Sequence, residues 1–149
     1  MARKSFTAQG RYRLKNPEKY NGNRGDITYR SSWEKKCMIW LDNHPAVIEW
    51  SSEEIKIPYL SPVDNKYHRY FPDFYVVLVN KHGERKTYIW EVKPEKQTRP
   101  PKKPKRKTKQ YLKEVQTWGI NEAKWNAAIK YCEERGWEFK ILTEENIGF

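Results

Sequence analysis

Tyr70-Phe71-Pro72-Asp73-Phe74-Tyr75-Val76-Val77-Leu78-Val79 and, after a short polar break, Lys86-Thr87-Tyr88-Ile89-Trp90-Glu91-Val92-Lys93 decide how this chain is built. The first run is dense in aromatic and β-branched side chains, the composition of a buried strand. Asn80-Lys81-His82-Gly83 is polar, ends in glycine and suits a hairpin turn. The second run returns as a strand. Its Tyr88, Trp90 and Val92 alternate against Ile89, Glu91 and Lys93, so the two sets point to opposite faces.

Glu91 and Lys93 therefore share a face. A carboxylate and an ammonium among core residues are costly to bury unless something pairs with them. A hairpin register that brings Asp73 onto that face puts two carboxylates and a lysine at one point. Two carboxylates offer the oxygen ligands that Mg2+ or Mn2+ take. The lysine can orient a water or stabilise charge on a phosphorus centre under attack. Pro72-Asp73, a spacer and Glu91-Val92-Lys93 together resemble the PD-(D/E)XK nuclease motif, in which two acids bind a divalent metal and the lysine assists phosphodiester hydrolysis. The plainer alternative is that Asp73 ends a bulge while Glu91 and Lys93 form a cross-strand ion pair on a solvated face, since short motifs match by chance.

The chain has 149 residues, enough for one domain with a core, and its aromatic content of 15% lets large rings carry much of the burial. No apolar run approaches the length of a membrane span, and no signal peptide opens the sequence. Cys37 and Cys132 each sit among apolar residues of an expected helix and read as reduced core residues of a cytosolic protein. The histidines (His44, His68 and His82) are isolated, so no zinc spacing occurs.

The net charge of +11 is unevenly spread. Residues 94–109 hold eight Lys or Arg against one Glu, and residues 1–30 hold eight against two, which leaves the rest of the chain at −2. A nearly neutral body with two basic flanks suits a polyanion, and nucleic acid is the partner this implies. The expected organisation is a basic N-terminal arm over residues 1–30 and a single domain over 31–149. The arm is ordered either by packing its tyrosines on the body or by meeting a partner. Residues 94–109 hold four prolines and read as an exposed, stiff loop. The loop follows Lys93 directly, so Lys96, Arg99, Lys102, Lys103, Lys105, Arg106 and Lys107 are candidate DNA contacts, as is Arg69 near the start of the hairpin. Residues 102–107 also resemble a nuclear localisation signal.

Ser31 and Glu34 fit a capping box that opens a helix with Trp33, Cys37, Met38, Trp40 and Leu41 on its apolar stripe; Pro45 ends it. Glu34 is either a cap residue alone or, sharing a side with Met38 and Leu41, an inward-pointing acid. Residues 47–50 and 54–57 read as short strands and residues 58–65 as a loop. Residues 110–118 suit a helix bearing Tyr111, Leu112, Val115 and Trp118. Gly119 breaks it and Asn121 caps a second helix, buried along Trp125, Ala128, Ile129 and Cys132. Gly136 stops that helix, a strand follows from Trp137 to Leu142, and Thr143 opens a last turn.

Residues 29–34, Ile57-Pro58-Tyr59, Arg69 to Phe74, Glu91 to Pro94, Lys124-Trp125 and Phe139 to Glu144, in this order, resemble the head-completion nucleases of T-even-type tailed bacteriophages. That family is related to the TnsA-like transposon endonucleases within the PD-(D/E)XK superfamily. The resemblance implies an α/β, restriction-endonuclease-like fold, a mixed β-sheet flanked by helices. It makes Glu34, Asp73 and Glu91 ligands of one or two Mg2+ or Mn2+ ions and Lys93 the catalytic lysine. It further implies a deoxyribonuclease that prepares packaged heads for tail joining. Its partners would be DNA and head-vertex (portal or neck) proteins, without membrane or small-molecule cofactor. It would work in the cytoplasm of the infected bacterial host, with retention in the virion head as a further option. A lysine with the ordinary pKa near ~10.4 is a poor base at neutral pH, which favours charge stabilisation as its role. Two other functions fit less of the sequence. A DNA clamp with a vestigial site has no use for acids near a polyanion. An RNA-binding protein would need its rings exposed for stacking.

Overall fold

A computed structural model describes residues 9–147. Its elements in chain order are β1 (Gly10–Arg11), β2 (Thr28–Tyr29), α1 (Ser32–Asn43), β3 (Val47–Ser52), β4 (Ile57–Leu60), β5 (Tyr67–Tyr70), β6 (Phe74–Val79), β7 (Arg85–Val92), α2 (Lys109–Arg135), β8 (Glu138–Leu142) and α3 (Glu144–Ile147). The central sheet has the order β3-β6-β7-β8. Its first three strands are antiparallel and β8 joins parallel to β7, so the chain must cross over between them, and α2 makes that crossing.

Period-two alternation sends side chains to both faces of this sheet. On one, Trp50, Phe74, Val76, Trp90 and Val92 pack with Cys37, Met38 and Leu41 of α1. On the other, Phe139 and Ile141 pack with Trp125 and Ala128 of α2 and with Ile57, Tyr59 and Tyr70 of the β4–β5 ribbon. Glu91 pairs with Ile141 and Ile89 with Phe139, which puts Glu91 on the α2 side. Both cysteines are buried and unpaired.

The expected strand over Tyr70–Val79 is two strands. Tyr70 ends β5, which pairs with β4, while Phe74 starts β6 in the main sheet. Pro72 between them has no N–H to give a ladder. Asp73 takes part through its side chain instead: its Oδ2 accepts the Val92 N–H at 2.7 Å. The strand expected at residues 54–57 runs instead from Ile57 to Leu60, so all but its first residue lies in the expected loop. Pro58 is tolerated there because the ribbon has two strands and both are edges.

Gly119 does not break the helix. Thr108 caps α2, its Oγ1 accepting the Tyr111 N–H at 3.0 Å, and the helix runs on to Gly136 at φ 71°. One glycine costs a helix about 1 kcal/mol relative to alanine, which tertiary packing overrides. A Cβ at Gly119 would meet Pro62 Cγ at an ordinary 3.7 Å. Gly119→Ala is therefore expected to raise stability by about 0.5–1 kcal/mol, read as a higher urea midpoint at constant slope. A fall would show that the position needs glycine. The apolar stripes are also narrower than expected. Leu112, Val115, Ile129 and Trp40 are all exposed, and Trp40 stacks on His44 with ring centroids 4.5 Å apart.

Residues 9–30 lie against the body. Tyr20 and Ile27 are buried, and Tyr12 and Leu14 pack on the α1-side core while Arg11, Arg13 and Lys15 alternate outward. The anchor is Asp42 in the last turn of α1, fully buried, which accepts the Tyr12 hydroxyl at 2.7 Å and the Lys15 and Asn16 N–H groups at 2.7 and 3.0 Å.

Candidate active site

Antiparallel pairing makes β3 end where β6 begins and β7 ends, with Ser52 opposite Phe74 and Phe74 opposite Trp90. The residues just beyond those ends form the site. Glu53 follows β3 at φ 56°, a left-handed conformation uncommon outside glycine, and its N–H donates to the Asp73 carbonyl at 3.2 Å. Glu34 comes from the first turn of α1, where a helix favours negative charge. The Ser31 Oγ accepts the Glu34 N–H at 3.1 Å, and Glu34 Oε1 accepts the Arg30 N–H at 3.2 Å, so Glu34 caps the helix start while its carboxylate also lies beside the other acids. One carboxylate oxygen each from Glu34, Glu53 and Asp73 lie within 4.8 Å of one another. Arg30 grips Glu53 with two bonds of 3.0 Å.

Glu91 is not part of that trio but adjoins it. Its Oε1 accepts the Tyr70 hydroxyl at 2.6 Å, and its Oε2 is 3.9 Å from Lys93 Nζ. From α2, Lys124 Nζ lies 5.6 Å from the Tyr70 ring and 5.8 Å from the Tyr59 ring. The sequence thus foresees Glu34, Asp73, Glu91 and Lys93 as neighbours and misses Glu53, Tyr70 and Lys124. Glu53 has an acidic twin in Glu54, and only the turn after β3 distinguishes them. Lys124 is one basic residue on a long helix with nothing local to mark it.

The acids disfavour one another's charge. Burial above all, then the Glu91 and Glu34 charges, hold the Asp73 carboxyl well above the usual carboxylate range, against the Val92 N–H and Lys93. Burial likewise raises Glu91, opposed by the Tyr70 hydroxyl, Lys93 and Lys124, and it raises Glu34. Burial lowers the Lys124 ammonium, while Glu91 and Asp73 favour its charge. Carboxylates crowded in this way gain from a cation between them, and their hard oxygens suit Mg2+ or Mn2+ rather than a soft metal. The donor set fits such an ion, and Arg30 would compete with it for Glu53.

The candidate DNA contacts Arg69, Lys96, Arg99, Lys102, Lys103, Lys105, Arg106 and Lys107 are all exposed. Lys96, Arg99 and Lys102 line a cleft of about 840 Å3 with Lys113 and Trp118 of α2, and Arg99 also pairs with Glu95 at 2.7 Å. Arg69 lies elsewhere, on the β4–β5 ribbon.

A mixed sheet with a helix on each face and acids gathered beyond the ends of its antiparallel strands is the fold of the PD-(D/E)XK nucleases. Within that class the chain belongs to the TnsA-like endonucleases, whose N-terminal domain matches residues 44–144. It is 41% identical over 142 residues to the head completion nuclease of Enterobacteria phage T4, a match covering 93% of this chain and 92% of that protein. No solved structure matches.

Proposed function

We propose that the protein is a divalent-metal-dependent DNA nuclease acting in phage head completion. The observation that carries this is the meeting of Glu34, Glu53 and Asp73 oxygens within 4.8 Å, next to Glu91 and Lys93. Glu34, Asp73 and Glu91 would hold Mg2+ or Mn2+, with Glu53 as a further oxygen donor. Such an ion supplies Lewis acidity toward a phosphate and lowers the pKa of water. Lys93 brings a cation to the place where a phosphate oxygen gains charge. Tyr70 fixes Glu91 by one oxygen and leaves the other facing Lys93. The exposed lysines and arginines of the 94–109 loop hold the DNA backbone in a salt-sensitive, sequence-blind way. In the infected bacterium the substrate would be DNA at the vertex of a packaged head, with portal or neck proteins as partners.

The test is cleavage of supercoiled and linear DNA with Mg2+, Mn2+ or EDTA, wild type beside Asp73→Ala. Cutting is expected with either metal and none in EDTA, with a loss of at least about a hundredfold in the variant. Tight DNA binding without cutting under any metal would replace this reading by a clamp.

A further inference from the structure

The hydrolytic site leaves a neighbouring opening unused. A cleft of about 530 Å3 is lined by Tyr59, Tyr67, His68, Arg69, Phe71 and Lys124, with no carboxylate among its described lining residues. Tyr67 is 75% and Phe71 42% exposed, so neither ring is held there by core packing. His68 is already engaged by Asp64 at 2.8 Å, which leaves Arg69 and Lys124 as the other cations lining the cleft. The cleft adjoins the carboxylates by two routes. The Tyr70 hydroxyl that holds Glu91 belongs to a ring 5.6 Å from Lys124 Nζ. Phe71 is two residues before Asp73, at most about 7 Å along an extended chain.

Exposed rings beside cations match one ligand chemistry, an aromatic base carrying a phosphate. In a duplex the faces of a base are covered by its stacking neighbours, and only an unpaired base offers them to a side chain. The 840 Å3 cleft differs in kind: its lining has one aromatic ring, Trp118, and an acid, Glu114, among its basic residues. We propose that the Tyr67–Phe71 cleft binds an unpaired nucleotide of the DNA strand beside the scissile position, the base on the two rings and its phosphate on Arg69 and Lys124. The preferred substrate is then DNA with a fork or single-stranded end. This rests on the nuclease reading for its consequence in catalysis, but not for binding itself.

The test compares a blunt duplex with a forked one of equal length, the fork carrying the fluorescent base 2-aminopurine in its unpaired arm, with full-length protein in EDTA. The fork is expected to bind at least about tenfold more tightly, with the probe quenched by stacking. Tyr67→Ala/Phe71→Ala should bring the two affinities together and abolish the quenching. Tyr67→Phe, which keeps the ring, should retain both. Equal wild-type affinities, or a preference that survives the double substitution, would overturn the inference whether or not the protein cuts DNA. A fork preference in a protein that cuts no DNA under any metal would sustain the cleft and overturn the nuclease reading.

Discussion

Lys93→Ala is expected to slow DNA cleavage by at least about a hundredfold at saturating Mg2+ while leaving the thermal midpoint close to that of the wild type. The reasons lie in where the ammonium sits. Its side chain is 26% exposed and its only described ion pair, to the buried Glu91, is 3.9 Å long, and Glu91 keeps the Tyr70 hydroxyl and the nearby Lys124 without it, so its removal takes little from folding. The same ammonium lies beside Glu91 and within electrostatic reach of Asp73, and in the proposed reaction it is the cation that would meet a phosphate gaining charge. It also favours the charged form of Glu91 against burial. DNA retention should weaken only mildly, because the 94–109 loop holds eight basic residues and each phosphate contact contributes separately. Single-turnover cleavage and gel retardation in EDTA separate the two effects. Cleavage near the wild-type rate would remove Lys93 from the chemistry.

The second large effect concerns stability. Asp42→Ala is expected to cost about 3 kcal/mol, because a buried carboxylate that accepts three hydrogen bonds is lost and its donors are left without a partner. Those donors are the Tyr12 hydroxyl and the Lys15 and Asn16 backbone N–H groups. Helix energetics do not explain an aspartate there, since the last turn of a helix disfavours negative charge. It serves the segment that precedes the helix. Tyr12 reports the same contact, its hydroxyl held well above the ordinary tyrosine range by burial first and then by Asp42. Urea unfolding measures the loss, and limited proteolysis should open the chain between residues 11 and 20 first. Should the variant fail to fold, Tyr12→Phe removes one of the three bonds, and a loss of about 1 kcal/mol is expected. A loss under about 1 kcal/mol for Asp42→Ala would mean that the segment is held by its apolar contacts alone.

The strands and helices were legible where local pattern is strong. Tyr88 to Val92 alternates cleanly and lies in strand β7; Ser31 with Glu34 announces a helix start and makes one. The errors share a cause. Gly119 looked like a stop because glycine is a poor helix former, yet α2 spans it, since Trp118 and Trp125 on either side of it both pack against the β4–β5 ribbon cluster. Tyr70–Val79 looked like one strand because its composition is uniform, yet Tyr70 pairs with β4 while Phe74–Val79 pair in the main sheet.

The sequence alone determined most of the strands and helices, the hairpin that follows Asp73 and carries Glu91, the placing of Lys93 beside Glu91, and the basic loop that follows, because each rests on local periodicity or on local composition. Only the tertiary structure decided that Glu53 joins Glu34 and Asp73, that Tyr70 holds Glu91, that Lys124 reaches Tyr59 and Tyr70 from α2, and that Asp42 anchors the N-terminal segment. Those meetings join residues from about 20 to more than 60 positions apart, and which of them occur depends on strand register. Register is set by burying both faces of the sheet at once, a condition on the whole chain that no local stretch contains.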